Sequence, residues 1–205
     1  LRRLRGPDGK ERMWDGAPDR WGRSGPVIFP ILGGWPKGHY IYHGKRYQMD
    51  KNGFARSCVF EAARVERDKV ELLLWPNEKT KSQYPFSFRL KVRYSLDGLS
   101  LRVRQSVVNT EKRMMPAGLG LHPGFRWERS RSGAFLRFSC AQTILAFHSD
   151  GKRYPLLENE DKILLSDQFF AEGAVSLENM RSAWVEFSRP GAAWDLRLHH
   201  SGYPY

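Results

Sequence analysis

Between Pro85 and Val108 the chain alternates apolar and polar residues, and no other stretch restricts its fold so strongly. Phe86, Phe88, Leu90, Val92, Tyr94 and Leu96 alternate with Ser87, Arg89, Lys91, Arg93 and Ser95. Successive strand side chains point to opposite faces, so this run builds one apolar and one charged face. Asp97-Gly98 follows, a dipeptide suited to a tight hairpin, and then Leu99, Leu101 and Val103 alternate with Ser100, Arg102 and Arg104. A turn at Asp97-Gly98 pairs Leu96 with Leu99, Tyr94 with Leu101 and Val92 with Val103, and the shared apolar face must lie on a core. The same register sets Arg93 opposite Arg102 and Lys91 opposite Arg104. Like charges directly opposed destabilise a sheet. Either an anionic ligand or partner relieves them, or water and acids from a neighbouring strand do.

Further strands are expected at Tyr40–Tyr47, broken by a turn at His43-Gly44, and at Cys58–Val65 and Val70–Trp75. Later come Phe135–Ser139, Thr143–Phe147, Lys162–Leu165, Ala174–Leu177, Ala183–Phe187 and Trp194–His200. Short strands separated by turn residues, with no sustained helical periodicity, indicate an all-β antiparallel sandwich or barrel. At 205 residues, 40% of them hydrophobic, residues 1–205 read as a single domain with a sizeable core. The chain opens on Leu1-Arg2-Arg3 and stops at Tyr205 after a strand-like segment, so we expect sequence beyond both ends. No apolar run reaches the length of a membrane span, and no signal peptide is visible. Cys58 and Cys140 lack metal-ligand spacing; two free thiols in a reducing, cytoplasmic setting is the simplest reading, with one disulfide as the alternative.

The chemistry centres on Gly118-Leu119-Gly120-Leu121-His122-Pro123-Gly124-Phe125-Arg126-Trp127. Proline fixes its own φ and pushes the preceding residue toward extended backbone, while the glycines permit close approach of another group. His122 therefore sits in a rigid, uncrowded loop, and imidazole is the side chain best suited to proton transfer near neutral pH. A loop histidine that merely hydrogen-bonds is the plainer alternative. There is no Gly-x-Ser-x-Gly elbow, no phosphate-cradling glycine loop and no His-Glu-x-x-His. His199 and His200 are adjacent, so on a strand they face opposite ways and cannot share a metal. Trp14, Trp21, Trp35, Tyr40 and Tyr42 suit either sugar stacking or a core. The net charge of +12 raises the question of a polyanion partner, but the arginines are spread along the chain and no nucleic-acid motif accompanies them.

In order along the chain stand Trp14-Asp15-Gly16, Trp21-Gly22-Arg23, Pro26-Val27-Ile28-Phe29-Pro30, Gly44-Lys45-Arg46-Tyr47-Gln48-Met49 and Asn52-Gly53-Phe54-Ala55-Arg56. Tyr84-Pro85-Phe86, Asn109 and Gly120-Leu121-His122-Pro123-Gly124-Phe125 continue the series. This series resembles the aldose 1-epimerase (galactose mutarotase) superfamily, in particular its bacterial branch with His-Gly-Phe-Ala-Arg and Gly-x-His-Pro-x-Phe motifs. The resemblance implies a large antiparallel β-sandwich with a sugar site, no metal and no organic cofactor. It implies interconversion of the α and β anomers of an aldose by acid/base ring opening. His122 matches the family's acid. Asn52 and Arg56 fall at positions that would contact the sugar, although Asn52 replaces the family's histidine. The family's arginine after Phe29-Pro30-Ile31-Leu32-Gly33 is Gly34 here, and the register of a late sugar-contacting carboxylate falls on Gly173. The resemblance puts the glutamate expected as base in a strand past Tyr205.

Three functions compete at this level. One is an aldose 1-epimerase-like isomerase acting on a free aldose or a sugar phosphate, with no nucleic-acid or membrane partner. Another is a carbohydrate-binding protein on the same fold, supported by the changes at Asn52, Gly34 and Gly173. A third is a polyanion-binding β-domain.

Overall fold

The computed structural model describes residues 1–19, 21–126, 133–148, 151–190 and 196–201. The described chain is all-β, with short 3-10 turns and one helix of six residues. It divides into two compact units, Leu1–Trp127 and Glu128–Tyr205.

In the first unit, β1 (Val27–Ile28) is followed by a hairpin of β2 (His39–Tyr42) and β3 (Lys45–Gln48). Its turn is the expected His43-Gly44, both at positive φ, as a tight primed turn requires. Next come β4 (Glu61–Val65), β5 (Lys69–Leu74), α1 (Glu78–Gln83), β6 (Phe88–Asp97), β7 (Ser100–Asn109) and β8 (Gly120–Leu121). Strands β4 to β7 form one antiparallel sheet in chain order, and β1 pairs with β8. Helix α1 has no counterpart among the expected elements, because six residues are too few to display a period. Local chemistry makes it: Asn77 accepts from the Thr80 amide at 3.0 Å while the Thr80 hydroxyl accepts from the Asn77 amide at 2.8 Å.

The β6–β7 hairpin keeps the expected faces in a different register. Leu96 pairs with Leu101 and Tyr94 with Val103, because the two turn residues are Gly98 and Leu99. Gly98 takes φ 55° at the first turn position, so neither Asp97 nor Leu99 needs a left-handed backbone. The shift is two residues, which preserves each side chain's face. Arg93 therefore opposes Arg104 rather than Arg102, and Lys91 opposes Ser106 rather than Arg104. An acid from the next strand relieves the charge. Glu71 on β5 lies beside Arg93 and accepts from its Nη2 at 2.6 Å and from Lys91 Nζ at 3.1 Å.

The apolar face of this sheet carries the buried Leu74, Phe88, Leu90 and Val92, packed with Phe29, Met49, Phe54, Tyr84 and Phe86. Much of this core comes from the motif residues. Phe29, Phe54, Tyr84 and Phe88 form a cluster of mostly edge-on and tilted rings with centroids 4.8–6.2 Å apart.

The second unit is one antiparallel sheet of β9 (Phe135–Phe147), β10 (Arg153–Leu164), β11 (Ser176–Glu178), β12 (Trp184–Ser188) and β13 (Leu196–His199). Phe135–Ser139 and Thr143–Phe147, expected as two strands, are one strand of 13 residues. The stretch between them is tied to residues 181–182, although only Gln142 of it is buried. Buried Gln142 accepts from the Arg181 amide at 2.7 Å, and the Ser139 amide donates to Ser182 Oγ at 2.6 Å. Strand β10 begins nine residues before the expected Lys162, its acidic run Glu158-Asn159-Glu160-Asp161 absorbed by register shifts against β9. Pro155 is tolerated because β10 is an edge strand. Trp194, the first residue of the last expected strand, lies outside the described residues. Cys58 and Cys140 are free thiols. Among the described residues no helix is long and apolar enough to cross a membrane.

Arg93 and then Lys91 hold the Glu71 carboxyl below its ordinary range. A lowered carboxylate stabilises the fold fully above the unfolded value of about 4.3, and that contribution disappears as pH falls through the lower folded value. The expected outcome is that Glu71→Gln is less stable than the parent at neutral pH and that the gap closes in acid. Urea denaturation of both proteins across pH 2.5–7 measures it.

Candidate active site

The three residues singled out from the sequence are all held in the first unit, and one segment, residues 23–33, holds each of them. His122 follows β8, and its backbone amide donates to the Pro26 carbonyl at 3.2 Å. Downstream, the Gly124 amide donates to the Ser24 carbonyl at 2.7 Å, and the Trp14 amide donates to the Gly124 carbonyl at 2.8 Å. Met13 and Phe125 form an antiparallel bridge. The loop is thus fixed by main-chain hydrogen bonds, while His122 itself is exposed. Its imidazole meets the Trp21 indole, ring centroids 4.8 Å apart and planes inclined by 47°. This partner was not evident from the sequence. Trp21 lies a hundred residues upstream, and the only hint is the glycine two positions after the histidine.

Asn52 has φ 65°, a left-handed backbone that asparagine accepts better than most residues. Its amide donates to the Gly33 carbonyl at 2.6 Å, and its Oδ1 accepts from the Gly33 amide at 2.9 Å. This two-point clamp leaves Nδ2 as the group Asn52 can offer elsewhere. The next residue is constrained further. Gly53 has φ 69°, and a Cβ there would sit 2.1 Å from the Phe29 carbonyl oxygen and 2.7 Å from the Pro30 nitrogen. The Phe29–Pro30 peptide is cis. The Ala55 amide also donates to the Phe29 carbonyl, at 3.2 Å, opening the 3-10 turn Ala55–Ser57 that carries Arg56.

Arg56 is half-buried, and its carbonyl accepts from Arg23 Nη1 at 3.1 Å. It lines a cavity of about 800 Å³ together with Arg2, Arg3, Arg5, Arg23 and Tyr94. His122 and Asn52 do not line that cavity. The structure therefore anchors the three residues on one segment without bringing all three to one concavity.

Other titratable groups in the chain have settled partners. Tyr40 donates to the Gln83 carbonyl at 3.0 Å, and burial, with Tyr47 and Tyr42 nearby, pushes its phenol up to about 12. It is a structural donor rather than a proton carrier. Glu178 is paired with Arg153 and Glu186 with Arg197, at 2.8 and 2.6 Å. Among the described residues no carboxylate hydrogen-bonds the His122 ring, and no group of His, Cys, Asp and Glu has the arrangement to hold a metal ion. A Cβ at Gly34 would lie 3.5 Å from Lys51, an ordinary contact, so the fold does not require glycine there.

The β-sheet scaffold presents an exposed histidine on a backbone-clamped Gly-Leu-His-Pro-Gly-Phe loop, and its fold is galactose mutarotase-like. Residues 1–141 match the aldose 1-epimerase family, and the chain belongs to it. It is 27% identical to the plasmid and chromosomal forms of protein LacX of Lactococcus lactis, over all of this chain and 74% of theirs. A galactose mutarotase related enzyme from Lactobacillus acidophilus superposes with a TM-score of 0.89 at 28% identity, over 96% of this chain and 69% of that one. A galactose mutarotase-like protein from Lactobacillus casei gives a TM-score of 0.86 at 25% identity, over 97% and 72%.

Three substitutions at two positions test the scaffold. Gly53→Ala should destabilise the protein by about 3 kcal/mol, since it combines a left-handed backbone with a backbone clash. Asn52→Ala should cost about 2 kcal/mol and Asn52→Gly about 1 kcal/mol, since glycine restores the backbone but not the Oδ1 bond. Chemical denaturation of the three variants measures the order.

Proposed function

We propose that this protein is an aldose 1-epimerase that interconverts the α and β anomers of an aldose. The observation that carries the reading is the exposed imidazole of His122 on a loop fixed by main-chain hydrogen bonds, in a chain of this family. In the proposed reaction His122 protonates the ring oxygen as a base removes the anomeric hydroxyl proton. The C1–ring oxygen bond breaks to give the open aldehyde. Rotation about C1–C2 exposes the other carbonyl face, and reclosure returns both protons. Asn52 Nδ2 and the Arg56 guanidinium are the proposed sugar contacts. The base is the glutamate that the family resemblance puts past Tyr205. The substrate is a small sugar, with the basic balance of the chain leaving room for a sugar phosphate, and the two free thiols suit a cytoplasmic setting.

A second reading is a sugar-binding relative without turnover. It is favoured by the Asn52–Gly33 clamp, which engages Oδ1 where the family's histidine would carry a proton.

Magnetisation-transfer NMR on the complete protein, with glucose, galactose and a hexose 6-phosphate, separates the two. The expected outcome is anomer exchange well above the spontaneous rate, lowered about 10²- to 10⁴-fold by His122→Ala. Saturable binding with no acceleration for any sugar would sink the enzyme and leave the binding protein.

A further inference from the structure

Among the described residues no hydrogen bond orients the His122 ring; what it meets is the Trp21 indole, with ring centroids 4.8 Å apart and planes tilted by 47°. We propose that Trp21 is a positioning residue for His122 and that Gly124 exists to make room for it. This rests on the reading of His122 as the acid.

The indole is itself firmly placed. A Cβ at Gly124 would lie 2.5 Å from Trp21 Cζ3 and 3.1 Å from Trp14 Cβ, so the Trp21 ring and the Trp14 β-carbon occupy the space a side chain there would take. The Trp21 carbonyl accepts from Trp14 Nε1 at 2.8 Å and from the Arg23 amide at 2.8 Å, and the Trp21 amide donates to the Ala17 carbonyl at 3.0 Å. Trp14 in turn bonds the Gly124 carbonyl through its own amide at 2.8 Å. Trp14, Trp21 and Gly124 thus form a closed unit with the imidazole against its outer face. A histidine that transfers a proton needs its ring held to a narrow range of directions, usually by a hydrogen bond to its second nitrogen. Here the packed indole restricts the ring, and among the described residues no protein hydrogen bond occupies either nitrogen of the exposed imidazole.

The experiment compares the full protein with Trp21→Ala, Trp21→Phe and Gly124→Ala. The first readout is the His122 Cε1 proton by NMR, identified by its loss in His122→Asn. In the parent it should be displaced by the indole ring current. Trp21→Ala should return it to the range of the other exposed histidines. Gly124→Ala keeps both rings but drives the indole away, and should move the signal too. The second readout is anomer exchange. Trp21→Ala should lower kcat about tenfold or more with KM within twofold, because misdirecting a catalytic group costs rate rather than substrate binding. Trp21→Phe should retain most of the rate. If Trp21→Ala does not fold, the other two variants decide.

A His122 signal indifferent to these changes overturns the contact. A displaced signal with unchanged kcat, or a loss confined to KM, overturns the positioning role. If the parent itself shows no anomer exchange, the acid reading fails instead, and the signal still shows whether Trp21 seats the ring.

Discussion

The α-carbon of Gly53 lies directly against the carbonyl of Phe29, and the first unit is organised around that approach. Only a residue with no side chain and a left-handed backbone permits it. From this one contact Phe54 enters the core against Phe29, Tyr84 and Phe88, while the Ala55 amide takes the Phe29 carbonyl and starts the turn bearing Arg56. On the other side of Gly53, Asn52 fixes Gly33. A single backbone crossing therefore sets the core, the loop before the β2–β3 hairpin and two proposed sugar contacts.

The motif residues divide their labour accordingly. Phe29, Phe54, Tyr84 and Phe86 are buried and pack on one another. They make a frame whose hydrogen bonds run along the segment from Arg23 to Gly33. The residues with chemistry to offer, exposed His122 and half-buried Asn52 and Arg56, are anchored to that segment. Burial of the aromatic cluster supplies the cohesion, and the directional bonds supply the placement.

The sequence made the fold class and the sheet faces legible because period-two alternation is a local property of strands such as β6 and β7. Register was less legible. Asp97-Gly98 signals a turn, but whether glycine stands first or second in it depends on the φ demanded of its neighbour. Strands β9 and β10 were obscured because Gln142 and the acidic run of β10 look like loop, and the partner that holds Gln142 in β9, the Arg181 amide, is distant in sequence. At the site, His122 was readable from its glycine and proline neighbours, whereas Trp21 was not, since its contact is made by packing across a hundred residues.

The segment from Met13 to Ser24 forms little sheet of its own, yet it straps down the loop that carries His122 through Trp14 and Ser24. Its turn at Pro18-Asp19 is exposed. That turn lies outside every strand of the β4–β7 sheet, whereas Met13 at the start of the segment is buried. A cut in that turn would release the imidazole from its seat while the sheet endured. The chain would still look folded by spectroscopy and would have lost its reactive geometry.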